Sequence, residues 1–184
     1  MPDVTPMKVA TTEIDGLVII TMKQVADERG VVREFYRESS WTDAGLPSLG
    51  PWLQVNLTDT RAGAVRGLHA EAMSKLVAVA SGRAFGAYVD TRSGSATYGR
   101  VVTVALDQGK QVLVPDGVAN GFQALTDTQY LYCFDVEWVP GMAGLGVHPL
   151  DPALAIDWPL PIDTSDPSCL SAKDAAQSPL PDGR

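Results

Sequence analysis

The sequence predicts an all-β fold, a sandwich or barrel. Two observations carry this. From Trp52 onward, short apolar and β-branched runs follow one another, with a turn signal every eight to twelve residues or so. Residues 52–58 also alternate strictly, with Trp52, Gln54, Asn56 and Thr58 on one face and Leu53, Val55 and Leu57 on the other. That is the period of a strand. The 184 residues suffice for one sizeable core. The reading is a single domain over 1–184, with a barrel core over about 8–138 and a C-terminal extension over 139–184.

Each element has its own signal. Apolar segments 8–14 and 17–22 flank Asp15-Gly16, a hairpin signal. Asp27-Glu28-Arg29-Gly30 reads as a turn before a β-branched and aromatic strand at 31–36. Ser39 or Ser40 is expected to cap a short helix through Ala44, ended by Gly45 and Pro47. The amides on one face of 52–58 suit a strand lining a polar cavity. Strand 65–70 is entered through Arg61-Ala62-Gly63. Strands 76–80 and 84–91 flank Ser81-Gly82-Arg83, and 101–106 and 111–115 flank Asp107-Gln108-Gly109-Lys110; both links are read as hairpins. Asp116-Gly117 turns the chain toward strands 122–125 and 129–137. Residues 140–146 form a glycine-rich loop, and 151–154 one helical turn. On composition alone, the Pro-, Asp- and Ser-rich end from Trp158 is a partly disordered surface tail.

Composition narrows the function classes. The chain is 45% hydrophobic and 20% charged, as in ordinary globular proteins. The N-terminal residues lack a secretory pattern and no run is long enough to span a bilayer, so the expected location is the cytoplasm. A net charge of −8 argues against nucleic-acid or anionic-membrane partners. It leaves room for a small phosphorylated ligand held by a few arginines. Cys133 and Cys169 read as unpaired thiols.

The chemistry centres on Val65-Arg66-Gly67-Leu68-His69-Ala70-Glu71-Ala72-Met73-Ser74-Lys75. His69 is one of two histidines, the other being His148 in the loop after the barrel. A transition-metal site needs about three or four ligands, and His69 has no histidine partner, so no metal and no other cofactor is expected. A lone histidine can be a packed core residue or a base. Arg66, Lys75 and Tyr132 favour the base. A base, a cation for a developing oxyanion and a hydroxyl acid suit proton abstraction next to a carbonyl. Tyr132 could equally be a packed strand residue.

Several motifs then stand in order: Asp27-Glu28-Arg29-Gly30, Arg66-Gly67-Leu68-His69, Lys75-Leu76-Val77, Pro115-Asp116-Gly117-Val118-Ala119-Asn120-Gly121-Phe122, Leu131-Tyr132 and Ser171-Ala172-Lys173-Asp174-Ala175. With them the chain resembles the dTDP-4-dehydrorhamnose 3,5-epimerase family of the cupin superfamily over nearly its whole length. The resemblance implies a cupin-like jelly roll with short peripheral helices and a C-terminal tail folding back on the barrel. It implies a homodimer and a dTDP-4-keto-6-deoxyhexose as partner, epimerised at C3, C5 or both in deoxysugar (rhamnose-like) biosynthesis. By the resemblance, His69 is the base, Asp174 its carboxylate partner, Tyr132 the acid, and Lys75 the residue near the keto oxygen. Arg29, Glu34, Gln54, Asn56, Arg66, Asn120 and Lys173 match substrate-contacting positions, with Arg29 and Glu34 reaching the partner subunit's site. The tail is then expected to be ordered at least around Lys173-Asp174.

Departures from the family pattern bear on the sugar. Asn120 stands where a histidine is usual, Glu137 precedes Trp138 where an aromatic pair is usual, and Ala143 replaces a glutamate. Glu71 replaces a glutamine, and a carboxylate there would raise the pKa of the base if close. The run from His69 to Lys75 is short. Two alternatives stay open: a non-catalytic dTDP-sugar-binding relative, and a 3,4-keto-isomerase cupin.

Overall fold

The computed structural model describes residues 2–48 and 50–182. Its strands are β1 (Asp3–Thr5), β2 (Lys8–Thr11), β3 (Val18–Thr21), β4 (Lys23–Asp27), β5 (Gly30–Glu34), β6 (Gln54–Thr60), β7 (Val65–Glu71), β8 (Lys75–Ser81), β9 (Ala84–Asp90), β10 (Val101–Leu106), β11 (Lys110–Val114), β12 (Val118–Ala124), β13 (Thr128–Phe134) and β14 (Gly144–Gly146). The helices are α1 (Glu38–Asp43) and α2 (Ala172–Ala175). A 3-10 turn lies at Pro152–Leu154. No helix among the described residues is long and apolar enough to cross a membrane. The fold is the all-β jelly roll expected.

A six-stranded sheet ordered β2-β3-β11-β8-β13-β6 faces a five-stranded sheet ordered β10-β9-β12-β7-β14. Strand alternation builds the core between them. The first sheet points Val77, Val79, Val112, Val114 and Tyr130 inward; the second answers with Tyr88, Val104, Leu106 and Phe122. Phe122 and Tyr130 stack across this layer with ring centroids 3.9 Å apart. The outer face of the six-stranded sheet is covered by Trp41 of α1 and by Leu46, Phe35 and Trp52.

Two expected hairpins are corners instead. β8 and β9 belong to different sheets, as do β10 and β11. Ser81-Gly82-Arg83 and Asp107-Gln108-Gly109-Lys110 therefore carry the chain from one layer to the other. A local turn signal states that the chain reverses; it does not state whether the two strands share hydrogen bonds. The β2–β3 and β4–β5 pairings are true hairpins. α1 also differs from expectation. It starts after Arg37 with no side-chain cap, so Ser39 and Ser40 lie within it. Strands β1 and β4 carried no sequence signal. With β5 they form a separate three-stranded sheet that exposes Val4, Val31 and Val32, so no buried face imposes a hydrophobic alternation.

The C-terminal segment is ordered against the outer face of the five-stranded sheet. Leu154, Ile156, Trp158 and Leu180 pack on Leu68, Ala87 and Val89. Gln123 donates to the Leu160 carbonyl and accepts from the Leu160 N–H, both at 2.9 Å. Val65 N–H donates to the Cys169 carbonyl at 2.8 Å. Composition alone missed this because a few well-placed apolar side chains and side-chain-to-backbone bonds can order a polar segment.

One irregularity positions the site. β12 pairs with β7 at Asn120–His69 and again at Phe122–Arg66. Gly67 and Leu68 of β7 therefore oppose Gly121 alone, which is a β-bulge. The backbones approach closely there. A Cβ on Gly67 would lie 2.6 Å from Gly121 Cα, and one on Gly121 2.6 Å from the Arg66 carbonyl oxygen. Gly67 also has φ +121°, which disfavours a side chain. Gly121→Ala is expected to cost about 2 kcal/mol or more through this overpacking, read as a lower midpoint of thermal unfolding.

Candidate active site

On a regular strand, residues three apart face opposite ways. The extra residue of the bulge turns Arg66 and His69 to the same side, and both line one cavity of about 470 Å3. Its walls include Thr58, Thr60 and Arg61 from β6 and its end, Tyr132 from β13, and Cys169 and Asp174 from the C-terminal segment. Arg66 is steadied by Nε donating to Thr60 Oγ1 at 3.0 Å.

His69 is held from below. Its Nε2 lies 2.7 Å from Asp174 Oδ1, across a sequence separation of 105 residues. The Asp174 side chain is 7% exposed and that of His69 29%. Ser171 caps α2 by accepting from the Asp174 N–H at 3.1 Å, which fixes the backbone that carries the carboxylate. Gly67 N–H approaches Asp174 Oδ2 at 3.5 Å. Burial alone would raise the Asp174 carboxyl. The hydrogen bond and charge of His69, with help from Ser171 and Gly67, outweigh burial and hold it below its ordinary value of 3.8. Nδ1 of His69 makes no hydrogen bond to a described residue. The ring therefore has one nitrogen anchored and one available for proton transfer, with a carboxylate placed to stabilise the imidazolium.

Tyr132 shares the inner face of β13 with Tyr130 and Phe134, with ring centroids 4.9 and 5.8 Å away. Burial pushes its hydroxyl well above the ordinary tyrosine range, so it stays protonated at neutral pH. Lys75 follows Glu71 after a three-residue link and lies on the inner face, in line with Val77 and Val79. Its side chain is 4% exposed. The ammonium donates to Asn120 Oδ1 at 2.7 Å, to the His69 carbonyl at 3.3 Å and to Glu71. It is thus beneath His69 rather than in the cavity wall. Glu71, expected from the sequence to bear on the base, has the Lys75 ammonium as its ion-pair partner.

The remaining predicted residues lie in three places. Gln54 and Asn56 hydrogen-bond each other at 3.1 Å on the face that continues to Thr58 and Thr60, and Gln54 accepts from the Trp138 N–H at 2.7 Å. Lys173 walls a smaller cavity of about 170 Å3 beside His69, with Glu71, Trp138 and Gln177. Arg29 and Glu34 are not brought to His69 within one chain. Arg29 sits at the exposed tip of the β4–β5 hairpin, paired with Asp27, and Glu34 pairs with Arg37. Among the described residues, no three His, Cys, Asp or Glu side chains converge as metal ligands. Sequence reasoning missed Thr60, Arg61 and Cys169 as wall residues. Extending the alternation of 52–58 by one period reaches Thr60. Cys169 comes from the segment that composition described as a tail, and carries no local signal.

Known proteins match this chain over most of its length. A family model described as dTDP-4-dehydrorhamnose 3,5-epimerase matches residues 11–182. The dTDP-4-dehydrorhamnose 3,5-epimerase of Mycobacterium tuberculosis is 35% identical over 185 residues, covering 97% of this chain and 90% of its own. The chain belongs to the dTDP-4-dehydrorhamnose 3,5-epimerase family. A dTDP-4-dehydrorhamnose 3-epimerase of Streptomyces niveus is 36% identical, covering 83% of this chain and 76% of its own. The crystal structure of the dTDP-6-deoxy-D-glucose-3,5-epimerase of Legionella pneumophila, in complex with dTDP-4-keto-L-rhamnose, superposes with TM-score 0.83 at 35% identity, covering 95% of this chain and 93% of that one. Family membership makes the chain an isomerase.

The anchored pair gives a stability prediction. The folded Asp174 carboxyl is held below its ordinary value, so its contribution is complete above about pH 4 and fades as pH falls through the lowered value. Asp174→Asn is expected to cost about 1 to 3 kcal/mol at neutral pH. The gap to the wild type should close below about pH 4, as measured by denaturant unfolding across pH.

Proposed function

We propose that this protein is a dTDP-4-keto-6-deoxyhexose epimerase that inverts the carbon at C3, C5 or both, flanking the C4 ketone, in deoxysugar biosynthesis. The observation that carries the reading is the His69–Asp174 pair at 2.7 Å, set in a cavity wall beside Arg66 and Tyr132. Support comes from the family and from the keto-sugar nucleotide named in the Legionella pneumophila complex.

In this reading His69 takes the proton from the carbon next to the ketone, leaving an enolate. Asp174 stabilises the imidazolium that forms. Negative charge then rests on the C4 oxygen, and the Lys75 ammonium provides positive charge behind it. Tyr132, kept protonated by burial, returns a proton to the opposite face. Arg66 takes the diphosphate, which matches the fork of a guanidinium to phosphate oxygens. Gln54, Asn56, Asn120 and Lys173 contact nucleotide and sugar.

The site is completed by a second copy of the chain. Leu53, just before edge strand β6, and Val55 and Leu57 on its outer face are each more than half exposed, and Val32 is 73% exposed on β5. Exposed apolar side chains clustered along one strand face favour an interface there. The free edges of β1 and β5 offer backbone groups for pairing. In the dimer, the hairpin tip carrying Arg29, and Glu34 behind it, reach the partner's cavity.

Incubation with dTDP-4-keto-6-deoxyglucose in deuterated water tests the chemistry. NMR is expected to show deuterium entering at C3, C5 or both. His69→Ala should slow exchange by about 1,000-fold, and Tyr132→Phe should impair inversion more than proton loss. Absence of exchange across related keto-sugars by folded protein contradicts the enzyme reading; dTDP binding without exchange would instead fit the non-catalytic alternative. Sedimentation at micromolar concentration is expected to give a dimer, and a monomer contradicts the shared site.

A further inference from the structure

We propose that Glu71 is a positioning residue that keeps the buried Lys75 in its ammonium form, and thereby sets the alkaline limit of turnover. The consequence for turnover rests on the epimerase reading; the coupling between the two side chains does not.

The geometry is restrictive. Lys75 lies on the inner face of β8, with Val114 of β11 and Phe134 of β13 as its cross-strand neighbours. An ammonium has three protons to place. Here they meet Asn120 Oδ1 from β12, the His69 carbonyl from β7 and a Glu71 carboxylate oxygen from the end of β7. Two of these acceptors are neutral. Neutral acceptors satisfy an ammonium's hydrogen bonds but do not offset the cost of taking its charge out of water. Glu71 supplies the compensating charge. The other charge bearing on Lys75 is Asp116, in the turn between β11 and β12, which acts through space and more weakly. Consistent with this, burial lowers the Lys75 ammonium from its ordinary value, while Glu71 acts in the opposite direction. For Glu71, burial would raise the carboxyl, but Lys75 holds it below the ordinary range.

The link itself is a consequence of the sequence. Only Ala72, Met73 and Ser74 separate β7 from β8, and Met73 N–H closes a tight turn onto the Glu71 carbonyl at 2.8 Å. The short connection brings position 71 directly against position 75. Glu71 is 25% exposed and also walls the smaller cavity beside His69, so the pair belongs to the site. A glutamine at 71 could still accept the hydrogen bond without bringing the charge.

The test follows Lys75 directly. In protein labelled with 13C-lysine, the Lys75 signal, assigned by its loss in Lys75→Arg, is titrated by NMR in the wild type and in Glu71→Gln. The midpoint is expected to fall by about one pH unit or more in the variant. The alkaline limb of kcat for deuterium exchange should move to lower pH by a similar amount, with KM little changed. Adding Asn120→Asp to Glu71→Gln returns a carboxylate to the ammonium and should restore the Lys75 midpoint. A Lys75 midpoint unmoved in Glu71→Gln overturns the proposal, as does a moved midpoint with an unmoved alkaline limb. Should Glu71→Gln fail to fold, Asn120→Asp in the wild-type background must raise the Lys75 midpoint, and an unchanged value overturns the proposal. A coupled titration in a wild type that exchanges no keto-sugar would remove the epimerase reading and leave the Glu71–Lys75 coupling intact.

Discussion

One extra residue in β7, accommodated where Gly67 and Gly121 pack backbone to backbone, decides which side chains meet. Without it, Arg66 and His69 would point to opposite sides of the five-stranded sheet. With it, cation and imidazole enter the same cavity. The two glycines are required because their positions leave no space for Cβ atoms. Next to Gly121 in β12, Phe122 turns inward and stacks on Tyr130 of the facing sheet.

The remaining constraints are electrostatic, and they arrive from both ends of the site. Asp174 comes from a short helix near the end of the chain, anchored by the Ser171 cap and by Trp158 and Leu180 on the outer sheet face. Lys75 comes from the inner face of the facing sheet, where a charge is costly unless paired. Glu71 offsets that cost, and Asn120 satisfies one of the ammonium's hydrogen bonds. The imidazole pairs with Asp174 and the ammonium with Glu71, and the ammonium also reaches the His69 backbone carbonyl.

The sequence made much of this legible. Alternation along 52–58 revealed the amide-bearing face, and the turn signals located most strands. What it could not show is instructive. A bulge has no local signature apart from glycine, so the shared face of Arg66 and His69 was invisible to a period-two reading. Hairpins and inter-sheet corners use the same turn residues, so Ser81-Gly82-Arg83 does not by itself show which of the two it forms. The pairing of Asp174 with His69 came from the family resemblance, since composition had described that segment as a tail. Cys169 and Arg61 entered the cavity wall with no sequence signal, because long-range packing put them there. Glu71 was noticed as a departure, but its partner depends on how tightly the link to β8 turns.

Arg66 and His69 line one cavity. A crystal structure of the protein with dTDP tests that most directly. The nucleotide is expected in the cavity between Thr58, Arg61 and Arg66, with diphosphate oxygens on the Arg66 guanidinium and the outer phosphate directed toward His69. A nucleotide bound elsewhere, or bound there with Arg66 turned away from the diphosphate, would contradict it.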